Sequence, residues 1–338
     1  MRVPRALASY MVAATLLACA GTQQISEPLT PVQTRMHEDL SYLAGPALRG
    51  RLSGTAGNDS AAAFIARRYS DLGLRGAFGD SSCGQEHCGS SYFQFFHLSQ
   101  PDVQGLDILV GDLTQNVGAI VEGSDSTLKG EFVIVGAHYD HIGRSNIYAL
   151  DRVRFGIGRM HLGADDNGSG TVAVLELARR FAERPARRSV LFANFSAEEL
   201  GLIGSKRFVA VSPVAIDSIA AMINLDMVGR LRDDKLVLFD ARGSKRFHVI
   251  VDSVDHAAPD LHLHLAWRPS YRGPSDQVTF DERRIPVLGL FTDYHPDYHT
   301  AEDVVDRINF SGLEKVVDFA ERLVRAVADG RDRPASRD

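Results

Sequence analysis

The fold is decided by the stretch EFVIVGAHYDH at 131–141 and by two segments that follow it, TVAVLELARRFAE at 171–183 and RSVLFANFS at 188–196. The first and third are nearly continuous apolar runs, which are typical of strands buried on both faces of a sheet. The middle segment has apolar residues at helical spacing, so it predicts an amphipathic helix. A buried strand, a helix and a second buried strand together predict a parallel β-α-β unit.

The same alternation continues on both sides of this unit. Helical spacing occurs within 32–75, strand-like alternation within 91–121, and further helices are predicted near 243–257 and 311–328. Three more apolar runs predict buried strands, namely AAMINLDMVG (220–229), KLVLFD (235–240) and PVLGLF (286–291). The sequence therefore predicts one α/β domain over 32–330, with a mixed, mostly parallel central sheet flanked by helices on both faces and a polar tail at 331–338.

The composition is that of an ordinary soluble domain. Of 338 residues, 44% are hydrophobic and 24% are charged, which excludes a disordered chain, a coiled coil and a polytopic membrane protein. Lys and Arg number 37 against 43 Asp and Glu, a net charge of -6. This balance gives no overall electrostatic attraction for nucleic acid, and we expect no nucleic-acid partner.

The N-terminus has the pattern of an export signal. Two arginines precede an apolar stretch at 6–18, which is too short to span a membrane as a helix. The stretch ends in LLAC, which resembles the bacterial lipobox, so 1–18 is predicted to be a lipoprotein signal peptide, Cys19 the lipidated membrane anchor and 19–31 a tether. The expected location is the bacterial cell envelope. A plain signal peptide with a chance cysteine is the alternative.

The remaining two cysteines lie close together in SSCGQEHCGS. In an oxidising compartment, Cys83 and Cys88 would most simply form a disulfide that closes this small loop. A metal-binding loop that includes His87 is the other interpretation, although no second ligand pair follows at zinc-finger spacing.

Polar side chains capable of acid–base or metal chemistry cluster where the predicted strands end, as they do at the sites of open α/β sheets. Two imidazoles with three carboxylates suit zinc better than calcium or magnesium, which prefer all-oxygen ligands. The candidates, in chain order, are His138, Asp140, Asp166, Glu198, Glu199, Asp226 and His299.

Five motifs surround these residues. In order along the chain they are GAHYDH, GADDNGSG, SAEELGLIGS, NLDMVG and YHTAED. In this order and spacing the chain resembles the co-catalytic zinc aminopeptidases, metallopeptidase family twenty-eight, over about 34–328. The resemblance implies a zinc aminopeptidase-like (phosphorylase/hydrolase-like) fold, hydrolysis of the N-terminal bond of peptides with a free N-terminus, and two zinc ions per chain. No long insertion interrupts the pattern, so no protease-associated domain is expected.

The resemblance also implies a role for each candidate. Glu198 would be the general base acting on a water held between the two ions, and Asp140 would orient a metal ligand. A cis peptide bond is expected between Asp166 and Asn167. The implied ligands are Asp166, which bridges both ions, His138 and Asp226 on one ion, and Glu199 and His299 on the other.

The chain departs from the family pattern beside the expected substrate pocket. Gln277 and Thr279 stand where family members often have histidine and proline, which leaves the pocket's specificity open. His141 is expected beside the site rather than among the ligands. Two alternative functions remain, a glutaminyl cyclase-like or carboxypeptidase-like enzyme on the same scaffold, and a non-catalytic surface binding protein.

Overall fold

The structure is a computed structural model that describes residues 28–79, 90–103, 106, 110–144, 147–152, 158–240, 245–269 and 275–334. The expected signal peptide at 1–18, Cys19, Cys83 and Cys88 lie outside the described residues, as does most of the expected tether. None of the helices in the described ranges combines the length and the apolar composition that crossing a membrane requires.

Helices and strands alternate along the described chain as the sequence predicts. The helices are α1 (Pro31–Leu43), α2 (Ala56–Asp71), α3 (Gln100–Val103), α4 (Gly170–Glu183), α5 (Ile203–Ala210), α6 (Lys245–His256), α7 (Gln277–Asp281) and α8 (Phe310–Ala328). The strands are β1 (Arg75–Gly76), β2 (Phe78–Gly79), β3 (Ser90–Ser91), β4 (Phe93–His97), β5 (Leu113–Val121), β6 (Phe132–His138), β7 (Ser189–Phe195), β8 (Ile219–Leu225), β9 (Lys235–Asp240), β10 (His264–Pro269) and β11 (Val287–Phe291).

One mixed sheet forms the centre of the molecule, in the order β1-β5-β7-β6-β8-β11-β9-β10, with β4 also paired to β5. Strands β7, β6, β8 and β11 are mutually parallel, and β9 and β10 form a further parallel pair that joins β11 in antiparallel fashion. The strand β5 is antiparallel to β7 and to the edge strands β1 and β4. The short strands β2 and β3 pair separately.

Helices cover both faces of this sheet because its central strands are apolar on both sides. Along β6, Val133 and Val135 belong to the core that α4 and α8 cover, whereas Ile134 belongs to a second core on the opposite face. That second core contains Phe208 of α5 and Phe280 of α7. The predicted α/β fold class, with a mixed and mostly parallel sheet between two helical layers, is confirmed.

The local predictions hold with one exception. Helix α1 begins at Pro31 because the Thr30 side chain accepts a hydrogen bond from the Gln33 backbone N–H, and the Gln33 side chain accepts one from the Thr30 backbone N–H. This reciprocal cap satisfies backbone N–H groups at the start of the helix. The strand pattern within 91–121 is correct for β4 and β5. Between them, Leu106, Val110 and Gly111 lie outside any strand, so alternation alone overestimated the strand there.

Candidate metal centre

The candidate residues meet at one edge of the sheet because β6, β7 and β8 are parallel and end there together. Strand β6 ends at His138, β7 ends three residues before Glu198, and β8 ends immediately before Asp226. Asp166 lies in the turn that precedes α4, and His299 lies in the loop that follows β11. Five distant segments therefore deliver side chains to one place.

Asp166 stands between the two candidate histidine ligands. Its Oδ1 lies 3.3 Å from Nε2 of His138, and its Oδ2 lies 3.1 Å from Nε2 of His299. Each carboxylate oxygen thus faces a different group of potential metal ligands. Within each group the ligand atoms lie within 4.8 Å of one another, and the groups are His138, Glu198 and Asp226, and His141, Asp166, Glu199 and His299.

The ring of His138 is fixed from behind. Its Nδ1 donates a hydrogen bond to the backbone carbonyl of Asp140 at 3.2 Å, and the Asp140 carboxylate lies 3.6 Å from the same nitrogen. Its Nε2 faces Asp226 Oδ1 at 3.4 Å and Glu198 Oε2 at 3.9 Å. Burial alone would lower the pKa of His138, but the charges of Glu198 and Asp226 raise the pKa well above its usual value.

Asp140 connects this histidine to the neighbouring strand. Its Oδ1 accepts a hydrogen bond from the backbone N–H of Glu198 at 3.2 Å, and its Oδ2 accepts one from the Ser53 hydroxyl at 3.2 Å. The carboxylate is fully buried. It lies behind His138 and Glu198, as expected for a residue that orients them.

His299 is held in the same manner on the other side. Its Nδ1 donates to the backbone carbonyl of Tyr148 at 2.9 Å, while its Nε2 faces Glu199 Oε2 at 3.2 Å. The ring of Tyr298 stacks on it with 4.0 Å between ring centroids. Burial would lower the pKa of His299, but Glu199 and Asp166 raise the pKa to about 12.

The adjacent glutamates have opposite electrostatic environments. Burial, together with the charges of Glu199 and Asp226, raises the pKa of Glu198 well above its usual value, although His138 opposes this effect. Burial also acts to raise the pKa of Glu199, but His299 and a hydrogen bond from His141 lower the pKa to about 2. Two neighbouring carboxyl groups whose pKa values diverge in this way are typical of a pair in which one takes up protons and the other stays ionised.

His141 lies closer to the centre than the sequence pattern suggested. It is fully buried, its Nδ1 donates to Glu199 Oε1 at 2.8 Å, and the same nitrogen lies 3.8 Å from Asp166 Oδ2. Because His141 follows His138 by three residues, the sequence places it near the site. Its contact with Glu199 depends on where the segment after β7 lies, which the spacing does not reveal.

Arg51, which the sequence analysis did not single out, ties the site to the N-terminal helices. It is almost completely buried, and its guanidinium donates to the backbone carbonyls of Leu43, Tyr139, Leu162 and Gly163 at 2.6–2.8 Å. Burial lowers the pKa of Arg51 to about 10, while the surrounding carboxylates act to raise the pKa. The cation therefore lies beneath the two loops that carry His138 and Asp166.

Asp303 fixes the backbone of the Asp166 loop. Its carboxylate accepts hydrogen bonds from the backbone N–H groups of Asp165 at 3.0 Å and of Asp166 at 3.1 Å. Burial and the nearby charge of Asp165 raise the pKa of Asp303 to about 7. The expected cis peptide bond between Asp166 and Asn167 is present.

The donor set fits a divalent cation such as zinc. Three buried atoms at this place have no hydrogen-bond partner among the described residues, namely Nε2 of His141, Oδ1 of Asp226 and Nε2 of His299. Because Nδ1 of His138 and of His299 donates to a carbonyl, a neutral ring would direct the Nε2 lone pair at carboxylate oxygens. The lone pair and the carboxylate oxygens repel one another, and a cation bound between them would remove this repulsion. Imidazole with carboxylate is also a ligand combination that zinc prefers.

A pocket open to solvent lies beside these residues. His138, Asp166, Glu198, Glu199 and Asp226 line it. Its lining also includes aromatic, apolar and amide side chains, among them Met227, Asn224, Phe239, Gln277, Phe291, Tyr294 and Tyr298.

Known proteins resemble this chain in sequence. The chain is 28% identical over 211 residues to aminopeptidase YwaD of Bacillus subtilis, covering 60% of this chain and 43% of the relative. It is 34% identical over 220 residues to leucine aminopeptidase 1 of Arthroderma otae, covering 58% and 55% respectively. The chain thus spans about half the length of these curated relatives.

Solved structures share the fold. A zinc aminopeptidase from Bacillus subtilis, BSAP, superposes with a TM-score of 0.65 at 19% identity, over 90% of this chain and 97% of that one. A Zn-dependent exopeptidase from Parabacteroides distasonis gives a TM-score of 0.67 at 20% identity, over 88% and 98%.

The sequence profile of peptidase family M28 matches residues 116–324, a span that includes every candidate metal ligand and more than half of the chain. This match agrees with the order of the five motifs, with the sheet topology and with the grouping of histidines and carboxylates at the strand ends. The chain belongs to peptidase family M28.

Proposed function

We propose that this protein is a zinc-dependent aminopeptidase that releases the N-terminal residue from peptides with a free N-terminus. The observation that carries the proposal is the position of Asp166, whose two carboxylate oxygens face two separate groups of metal ligands. Membership of a peptidase family and the aminopeptidases among its relatives support the same activity.

In this proposal the site holds two zinc ions. Bound there, zinc would polarise the scissile carbonyl and acidify a water molecule. The ligands would be Asp166 for both ions, His138 and Asp226 for one, and Glu199 and His299 for the other. His141 is the additional imidazole in the second group, and its hydrogen bond to Glu199 orients that carboxylate.

Glu198 is the proposed general base. The pKa of Glu198 is raised above its usual value whereas that of Glu199 is lowered, so Glu198 can accept a proton from the attacking water and return it to the leaving amine. Asp140 positions it, because its carboxylate accepts the backbone N–H of Glu198. Proton transfer is thus assigned to a side chain that lines the pocket and lies beside the ligands.

Metal analysis and hydrolysis of aminoacyl-nitroanilides together test the proposal. We expect about two zinc ions per chain and release of nitroaniline that a chelator abolishes and added zinc restores. A single zinc per chain with cyclisation of N-terminal glutaminyl peptides would instead indicate the cyclase-like alternative. A protein that binds these peptides without turnover would indicate a binding protein.

We further propose that the protein is lipid-anchored in the bacterial cell envelope through Cys19, with 1–18 as the signal peptide and 32–330 as the peptidase domain. The N-terminal pattern supports this, and so does 29% identity over 191 residues to a probable lipoprotein aminopeptidase of Mycobacterium tuberculosis, LpqL, covering 45% of this chain and 37% of the relative. The disulfide between Cys83 and Cys88 stays a prediction.

Replacing the anchoring cysteine tests this location. In bacterial cells we expect the wild-type protein in the membrane fraction and Cys19→Ser in the soluble envelope fraction or the medium, because lipidation requires the thiol. Equal distribution of the two proteins would contradict the anchor.

A further inference from the structure

The pocket lining contains two buried amide side chains that the proposed chemistry does not use. Asn224 of β8 and Gln277 of α7 both line the pocket and are each only 1% exposed. Asn224 Nδ2 donates to Gln277 Oε1 at 2.9 Å and to the hydroxyl of Ser275 at 2.9 Å. With both amides turned over, the same two contacts form with donor and acceptor exchanged, because the Ser275 hydroxyl can also donate; in either arrangement one amide N–H and one amide oxygen of the pair stay free for a ligand.

The same network leaves one donor and one acceptor without partners. Asn224 Oδ1 is buried and has no hydrogen-bond partner among the described residues. Gln277 Oε1 is occupied by Asn224, and its Nε2 makes no hydrogen bond to the described part of the chain. A buried polar group without a partner is costly, so the unpartnered atom of Asn224 at the pocket wall calls for a ligand that completes it.

The backbone of β11 lies close to these amides. Gly289 of β11 pairs with Asn224 in the sheet and also lines the pocket. A Cβ atom at this position would lie 3.3 Å from Phe239 Cβ and 3.4 Å from the Gln277 amide. The aromatic rings of Phe239 and Phe291 supply an apolar surface for the stem of a side chain.

From these contacts we propose that the pocket selects N-terminal residues whose side chain ends in a neutral amide, with Gln277 as the residue that determines this specificity. The inference rests on the proposed aminopeptidase function. A substrate amide offers an oxygen to Gln277 Nε2 and an N–H to Asn224 Oδ1, which is the complement of the two unpartnered atoms. Carboxylate side chains are disfavoured because Glu198 and Asp226 line the same pocket.

Three substrates of similar side-chain length test the proposal, the aminomethylcoumarin amides of glutamine, methionine and glutamate. We expect the wild-type kcat/KM for glutamine to exceed that for methionine by at least about tenfold, with glutamate lowest. In Gln277→Met the kcat/KM for glutamine should fall to about that for methionine or below. Gln33→Met, on α1 and outside the pocket lining, is the matched control and should keep the wild-type ratio.

A wild-type enzyme that cleaves the methionine substrate as well as or better than the glutamine substrate would overturn the proposal, whether or not the variant folds. Absence of hydrolysis of all three would count against the aminopeptidase function instead. Calorimetric binding of L-glutamine and L-methionine to the wild-type protein then decides the specificity. Tighter binding of glutamine supports the pocket assignment, and equal or weaker binding overturns it.

Discussion

Glu198 and Glu199 are adjacent in the chain but face different surroundings. Glu199 lies between His141, which donates a hydrogen bond to it, and His299, whose charge also lowers the pKa of Glu199, whereas Glu198 faces Asp226 and a single histidine. A one-residue step at the end of β7 therefore separates a group suited to binding a cation from a group suited to moving a proton.

At the scale of single residues, we predict the effect of Glu198→Gln. The variant should keep its fold and its zinc, because the amide has the same shape, but lose at least about 100-fold in kcat, because it cannot accept a proton. Steady-state kinetics and metal analysis measure the two properties separately. Glu282→Gln, an exposed carboxylate on the surface, should retain wild-type values. Near-normal turnover in Glu198→Gln would contradict the assignment of the base.

At the scale of secondary-structure elements, the side chain of Arg51 joins three of them. Arg51 bonds the carbonyl of Leu43 at the end of α1, that of Tyr139 just beyond β6, and those of Leu162 and Gly163 before α4. The guanidinium donates to all four carbonyl groups at these element ends, and that of Gly163 also accepts the backbone N–H of Gly168 at 3.2 Å. Helix α1 thereby supports two loops of the candidate metal centre.

We expect Arg51→Met to lower the free energy of unfolding by about 3 kcal/mol or more, because several buried carbonyls lose their donor. Chemical denaturation measures this change, and a zinc-binding titration should show weaker binding as the two loops loosen. Arg49→Met is a matched control, since Arg49 has the same positive φ of 51° but an exposed side chain. Equal stability of the two variants would show that the buried guanidinium contributes little.

For the whole molecule, the candidate metal centre brings together side chains from five segments that are distant in the chain. Its carboxylates repel one another when no cation is present, so zinc should stabilise the folded state that holds them together. We predict that adding zinc to the metal-free protein raises the melting temperature by roughly 5 °C or more. Asp166→Ala should show a much smaller rise in differential scanning calorimetry. An equal rise in both proteins would place the stabilising zinc elsewhere.

The sequence predicts most of this architecture, since continuous apolar runs identify the buried strands and the order of the motifs identifies which strand ends meet. It does not predict the supporting contacts. The side chain of Arg51 reaches carbonyls far along the chain, and Asp303 binds the backbone of Asp165 and Asp166, neither of which has a periodic pattern. Likewise, the three-residue spacing of His138 and His141 does not predict that His141 contacts Glu199. That contact depends on how the segments after β6 and β7 pack together.

The arrangement of ligands along the chain has a consequence for biosynthesis. His138, Asp166, Glu199 and Asp226 are all translated before His299, which follows the last strand of the sheet to be made. An incomplete chain on the ribosome, or one still passing through a membrane in extended form, therefore lacks part of the second ligand group. The proposed peptidase would become active only after nearly the whole chain has been synthesised and folded, which separates its activity in time from the unfinished peptides around it.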